Sequence, residues 1–195
     1  MTTHAFRTRL APLALTTAML GGLAITTAQP AEAAKAKSPA YYLKFDKNQN
    51  DPTNSRLHLM KKGKTDTSVA SWRAGSGNGS KDACAKSAGW LPNGNYDIGF
   101  HSKTYDGSAI KGYVIKLADK WCADKKAKRD DLFIHSEMWK DGSQGQKNGA
   151  DSPWRWDGAG DYKSLGCIKL KPADIKALFA KLGSTGWPKT LKVVS

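Results

Sequence analysis

The chain has 195 residues and a formal net charge of +14, from 31 lysine and arginine residues against 17 aspartate and glutamate residues. This length suits one ordinary domain with a core and is short for two. After the first 34 residues no apolar run is long enough to cross a bilayer, which argues against an integral membrane protein. The positive charge favours an anionic neighbour.

The first 34 residues have the three-part layout of a secretory signal peptide. Arg7 and Arg9 precede an apolar run over residues 10–27, and Ala-Glu-Ala follows as a small-residue cleavage site. No cysteine stands near that site to carry a lipid. The layout predicts a chain that is exported across the cytoplasmic membrane.

The predicted cleavage divides the chain into three parts. We expect residues 1–34 to be the signal peptide, residues 35–39 a short tether and residues 40–195 a single, monomeric domain. The domain is then located in the cell wall or the extracellular space. There an anionic cell wall is the expected neighbour, and the absence of a recognised binding motif argues against nucleic acid.

Short apolar runs separated by turn residues indicate a mainly β domain. In the sequence RLHLM, Leu57 and Leu59 alternate with Arg56 and His58, which is the period of a strand with one buried face. Clusters of Gly, Asn, Ser and Asp between the runs suit turns. The predicted strands cover residues 40–45, 56–60, 95–100, 112–118, 131–135 and 190–194.

One helix is predicted, late in the chain, in the sequence PADIKALFAKLG. Pro172 suits its first turn, and Gly183 is predicted to cap its C-terminus. The apolar residues that recur at the spacing of one helix face are Ile175, Leu178, Phe179 and Leu182.

Three cysteines follow the predicted signal segment. An odd number in an oxidising compartment means that at least one thiol is unpaired or bonded to another molecule. Cys84 and Cys122 lie in polar, loop-like surroundings, where a disulfide would connect two loops, and pairing them leaves Cys167 free. The other two pairings stay open at this point.

The sequence SLGCIKL surrounds Cys167 with residues that suit a nucleophile. A cysteine becomes a nucleophile when a base takes its proton, a third group orients that base and backbone N–H groups face the developing oxyanion. Gly166 permits a tight backbone and a close approach of substrate. His135 ends an apolar strand that would hold its ring rigidly, so it is the candidate base. A structural, hydrogen-bonded histidine is the alternative.

The segments DLFIHS and SLGCIKL resemble the signature of the L,D-transpeptidase catalytic domain, the YkuD-like family. GWLPNGNYDIG and SWRAGSG resemble the family's upstream segments, so the resemblance extends loosely from about Tyr41 to Val194. It implies a mainly β fold, an L,D-transpeptidase-like β-sandwich or mixed sheet assembly with one short C-terminal helix.

The resemblance also implies roles for individual residues. Cys167 would be the nucleophile, His135 its base, and Ser136 the group that orients the imidazole through its backbone carbonyl. Lys169 stands where the family has arginine or asparagine and would meet a substrate carboxylate. The oxyanion-hole and substrate-binding residues implied are Ser164, Leu165, Gly166 and Lys169.

The implied substrate is a peptidoglycan stem peptide. Cys167 would attack a tetrapeptide stem, release D-alanine and pass the resulting thioester to an amine of another stem, with no cofactor and no metal. A thiolate paired with His135 is expected to be alkylated at lower pH than an ordinary cysteine. Two alternatives stay open: a secreted cysteine hydrolase or L,D-carboxypeptidase that uses water, and a non-catalytic cell-wall-binding protein.

Two further segments carry specific expectations. Residues 138–163, rich in Gly, Asp and Trp, are either a lid whose tryptophans stack on substrate or a loop whose tryptophans pack on the domain. Residues 124–131 are predicted to be a solvated turn of mixed charge. The aspartates of the longer segment do not match the spacing of an EF-hand loop, so no metal site is expected there: Asp151, Asp157 and Asp161.

Overall fold

The computed structural model describes residues 40–147 and 149–195. The predicted signal peptide and tether lie outside the described residues. Within those residues no helix is long and apolar enough to span a membrane.

Ten strands and one α-helix make up the regular structure of the described residues. The strands are β1 Tyr41–Asp46, β2 Ser55–Lys61, β3 Thr67–Ser76, β4 Gly94–Asp106, β5 Lys111–Leu117, β6 Lys120–Trp121, β7 Lys128–Arg129, β8 Phe133–His135, β9 Ile168–Leu170 and β10 Thr190–Val194. The helix is α1, Pro172–Thr185, and short 3₁₀ turns cover Pro52–Asn54 and Ala159–Tyr162.

Eight of the strands close into a barrel. Their order around it is β1, β10, β4, β5, β8, β9, β3 and β2, and β2 pairs with β1 again. The pairs β1 with β10 and β8 with β9 are parallel, and the others are antiparallel. β6 and β7 form a separate hairpin. The expected mainly β class with one late helix is confirmed, and the mixed sheet takes the form of a closed barrel.

The barrel core forms because alternating residues of neighbouring strands point to the same side. Leu43 pairs with Leu59 and Phe45 with Leu57 across β1 and β2, and all four are fully buried. Burying each side chain stabilises the fold by about 1.5–3 kcal/mol. The apolar face of α1 joins the same core cluster through Ile175, Leu178, Phe179 and Leu182.

The helix ends later than the sequence predicts. Pro172 occupies its first turn as expected, but Gly183 lies inside the helix and the C-terminal cap is Gly186. Gly186 has φ 93° and donates its N–H to the carbonyl of Leu182 at 2.9 Å, a conformation that favours glycine. The prediction of Gly183 is wrong because Leu182 is the last buried residue, and the polar turn beyond it carries no periodic signal.

A disulfide joins Cys84 to Cys122. It links the segment between β3 and β4 to the β6–β7 hairpin. Cys167 is the free cysteine of the described residues, and its side chain is partly exposed.

Candidate active site

The parallel pairing of β8 with β9 brings the two candidate catalytic segments together. Ile134 lies opposite Ile168 and His135 opposite Lys169. Cys167 directly precedes β9, so it lies beside β8, the strand that ends at His135. Both line one pocket of about 550 Å³.

The ring of His135 is fixed in one tautomer by its neighbour. Nδ1 lies 3.1 Å from the backbone oxygen of Ser136. A carbonyl oxygen only accepts hydrogen bonds, so Nδ1 carries the proton and the neutral ring keeps Nε2 free to accept one. His135 is 8% exposed, and burial, with a contribution from the charge of Lys169, lowers its pKa to about 3. The ring is therefore neutral across the physiological range.

The thiol of Cys167 is also held neutral. Burial raises its pKa, although a backbone hydrogen bond from Phe133 and the charges of Lys116, Arg129 and Lys169 oppose the rise. Its Sγ lies 3.5 Å from the carbonyl oxygen of Asp131. These directions oppose the expectation of a resting thiolate that reacts at low pH, because loss of contact with water disfavours the charged form of each group.

Ser164 organises the loop that carries Cys167. Its Oγ donates to the carbonyl of Cys167 at 2.6 Å and accepts from the N–H groups of Gly166 and Gly77, each at 3.1 Å. A hydroxyl has one proton and two lone pairs, so its capacity is used within the protein. Ser164 thus holds the loop in place, and the N–H of Gly166 is already used in a hydrogen bond to it.

Gly166 takes a conformation that excludes other residues. Its φ is +127°, and a Cβ there would lie 1.9 Å from the guanidinium of Arg129. Its carbonyl accepts from Ser76 Oγ at 3.1 Å. The loop is thereby connected to the end of β3.

Arg129 is a site residue that the sequence analysis missed. It is 4% exposed, so the predicted solvated turn over residues 124–131 is wrong at this position. Its guanidinium donates, at 2.8–3.3 Å, to four carbonyl oxygens, those of Ala83, Gly89, Trp90 and Leu165. The available signal was alternation, since Ala127 and Arg129 are buried while Lys128 and Asp130 are exposed.

Lys169 lines the pocket, but its ammonium is engaged. It forms a buried ion pair with Oε1 of Glu137, a residue that the sequence analysis did not single out. Burial raises the pKa of Glu137 in spite of this contact. The expectation that the charge of Lys169 is free for a substrate carboxylate needs correction, because Glu137 already takes it.

Charged side chains and one large exposed apolar side chain line the pocket around Cys167. Leu165 is 71% exposed at the pocket, so its side chain is available for an apolar contact. The other lining cations, apart from Arg129 and Lys169, are Lys86, Lys128 and Lys163, and the lining carboxylates are Asp130 and Asp131. The pocket therefore suits a ligand with negative charge.

The tryptophans of residues 138–163 pack against other aromatic side chains of the protein. Trp139 stacks on Trp154 with ring centroids 5.1 Å apart, and Trp156 meets Tyr162 edge-on at 4.7 Å. Among the described residues that line the pocket, none is a tryptophan. This packing favours the loop alternative over the lid.

Two clusters of potential metal ligands occur in the described residues. Cys84 and Cys122 lie close to Asp124, but their sulfurs form the disulfide and offer no thiolate. The second cluster is Glu137, Asp151 and Asp161, whose ligand atoms lie within 4.8 Å of one another. Of these two clusters, only the second consists of three carboxylates.

One comparison with known proteins shows the family of this chain. The family model of the L,D-transpeptidase catalytic domain (YkuD) matches residues 41–193, and the chain belongs to that family. Bd1075 of Bdellovibrio bacteriovorus is a similar solved structure, with 12% sequence identity and a TM-score of 0.48 over 80% of this chain. This chain spans 48% of that protein. No curated protein matches the chain.

Proposed function

We propose that this protein is a secreted L,D-transpeptidase that cross-links peptidoglycan stems through a thioester on Cys167. The observation that carries the proposal is the pairing of β8 with β9. It brings a free thiol and a histidine with an available Nε2 to the same pocket. Membership of the YkuD family supports peptidoglycan as the substrate.

In the first half-reaction, Sγ of Cys167 attacks the carbonyl carbon of the third stem residue, which is bonded to the nitrogen of the terminal D-alanine. Because thiol and imidazole are both neutral at rest, Nε2 of His135 takes the proton as the sulfur attacks. The developing oxyanion favours the imidazolium that forms. The imidazolium then protonates the leaving nitrogen, D-alanine departs, and a thioester remains.

Backbone N–H groups of the nucleophile loop are proposed to receive the oxyanion. The N–H of Gly166 already donates to Ser164, so we assign the role to those of Leu165 and Cys167. Ser164 and Arg129 hold the loop in place. The exposed side chain of Leu165 is proposed to contact the stem.

In the second half-reaction, an amine of another stem attacks the thioester. His135 takes a proton from the amine and returns it to Sγ of Cys167 as the carbon–sulfur bond breaks, and a cross-link between two third residues results. The thioester retains the free energy of the broken amide, so no nucleotide is needed. Positive pocket residues would hold the carboxylates of the stems.

Export belongs to the same proposal. We assign residues 1–34 to a signal peptide, residues 35–39 to a tether and residues 40–195 to a monomeric domain that acts at the anionic cell wall. The mass of the protein recovered from the medium or the wall fraction tests the cleavage. A recovered chain that still begins at residue 1 would contradict it.

Product analysis tests the reaction. The protein and its Cys167→Ala variant are incubated with a disaccharide tetrapeptide, and the products are identified by mass spectrometry. We expect a dimer that is lighter by one D-alanine, absent with the variant. Tripeptide as the sole product would establish the hydrolase, and unchanged substrate together with retention on isolated walls would establish the wall-binding protein.

A further inference from the structure

Three carboxylates converge beside the catalytic strand, outside the pocket. Glu137 follows His135 by two positions, whereas Asp151 and Asp161 belong to residues 138–163. One oxygen from each lies within 4.8 Å of the others. The sequence analysis considered the two aspartates but not Glu137, because Glu137 lies outside the aspartate-rich segment.

The two side-chain oxygens of Glu137 differ in their surroundings. The residue is 6% exposed, and Oε1 contacts Lys169. Its other oxygen, Oε2, is buried and makes no hydrogen bond within the described residues. A buried carboxylate oxygen without a partner destabilises the fold, so a ligand at this position would remove that cost.

The local charges favour a divalent cation. When ionised, the three carboxylates carry three negative charges against the single positive charge of Lys169. The negative charges of Asp151 and Asp161 add to burial in raising the pKa of Glu137. Asp157, which lies near in sequence, is occupied by Arg155, with Oδ1 and Nε 2.7 Å apart.

We propose that Glu137, Asp151 and Asp161 bind a divalent cation, with calcium as the best-suited ion. Calcium takes oxygen ligands at about 2.3–2.6 Å in flexible geometry, so two of its ligands lie at most about 5 Å apart. The observed separations satisfy this limit. Water completes the coordination, because Asp151 is exposed.

The cation would tie residues 138–163 to the end of β8. Asp161 already accepts from the N–H groups of Asp157 and Gly158, which fixes its carboxylate. Asp151 lies in an exposed part of the segment and is the ligand that the ion would order. This inference replaces the expectation of no metal site, and it is independent of acyl transfer at Cys167.

Calorimetric titration tests the site. The chain is stripped with EDTA, exchanged into buffer without chelator and titrated with calcium chloride. We expect binding to one site, weakened at least about tenfold in Asp151→Asn and unchanged in Asp157→Asn, the matched control. Both positions are exposed, so neither variant should fail to fold. No binding by the unmodified chain at millimolar calcium, or a smaller loss in Asp151→Asn, would overturn the proposal.

Proteolysis provides a second test of the tie. Calcium is expected to slow cleavage by endoproteinase Lys-C after Lys147, and to have no such effect in Asp151→Asn. Equal cleavage rates of the unmodified chain in calcium and in EDTA would overturn the ordering of residues 138–163.

Discussion

At the site, burial shifts the pKa values of Cys167 and His135 in opposite directions, and both shifts favour the uncharged group. It raises the pKa of an acid and lowers that of a base, so both groups lose charge. The resemblance to the family pairs these two residues, but the sequence contains no measure of how deeply they are buried. The resting protonation states could therefore not be predicted from the motifs.

Alkylation of the thiol measures the first consequence. Because the pKa of Cys167 is raised, its thiolate fraction at neutral pH is lower than that of an ordinary cysteine. We expect the rate of reaction with iodoacetamide to rise only above the ordinary thiol range, with no limb near pH 5 to 6. N-acetylcysteine is the reference. A rate that reaches its plateau below neutral pH would indicate a thiolate–imidazolium pair.

Substitutions at His135 and Ser136 distinguish a role of the His135 side chain from a role of the Ser136 backbone. His135→Ala removes the base and should lower the rate of thioester formation by about 10²–10⁴. Ser136→Ala retains the carbonyl that binds Nδ1, and its lost Oγ is buried without a partner among the described residues. We expect nearly unchanged turnover in Ser136→Ala, measured as D-alanine released. Equal losses in both variants would show that the hydroxyl takes part.

At the level of elements, Arg129 joins the short strand β7 to the loop that precedes Cys167. Its guanidinium satisfies carbonyls from the segment between β3 and β4 and from Leu165. A buried cation that binds only backbone oxygens leaves no sequence signature of its partners. Periodicity identified the large apolar strands, but a two-residue strand with a buried charge does not fit the expected pattern.

Substitution of Arg129 is expected to destabilise the fold. Arg129→Met removes hydrogen bonds from a charged donor to buried carbonyls, which should lower the free energy of unfolding by about 2–4 kcal/mol. Urea unfolding measures this change. Lys126→Met is the control, since Lys126 pairs with Asp124 at the exposed surface and should leave the midpoint unchanged. If Arg129→Met had the same midpoint as the control, the hydrogen bonds of Arg129 would not stabilise the fold.

Sequence patterns predicted the elements better than their junctions. Alternation in residues such as Leu57 and Leu59 marks a strand because one face of the sheet is buried. The parallel contact of β8 with β9 is a tertiary pairing between segments separated by residues 138–163, and no local pattern encodes it. The same holds for Glu137, whose partners Lys169, Asp151 and Asp161 come from distant parts of the chain.

For the molecule as a whole, the buried His135 makes stability depend on pH. Its folded pKa of about 3 lies below the ordinary value, so the unfolded state binds more protons between about pH 3 and 6.5. His135 therefore stabilises the fold fully above that range, and this contribution is lost as the pH falls. The slope approaches about 1.4 kcal/mol per pH unit.

The variant His135→Gln isolates that contribution. Glu137 acts in the opposite sense, because its raised pKa makes the folded state bind more protons above pH 4.5. Glu137 is present in both proteins, so its contribution cancels when the unfolding free energy of His135→Gln is subtracted from that of the unmodified chain. We expect the unmodified chain to lose more unfolding free energy than His135→Gln as the pH falls from 6.5 to 3. A difference that stays constant would show that His135 titrates normally.

The central claim is that Cys167 carries the acyl group, and intact-protein mass spectrometry tests it most directly. The protein is mixed with a disaccharide tetrapeptide, quenched in acid after seconds and weighed beside Cys167→Ala. We expect an added mass equal to the substrate less D-alanine, located on the peptide that contains Cys167 and absent from the variant. Substrate consumption without any adduct in the unmodified chain, or the same adduct on Cys167→Ala, would contradict the account.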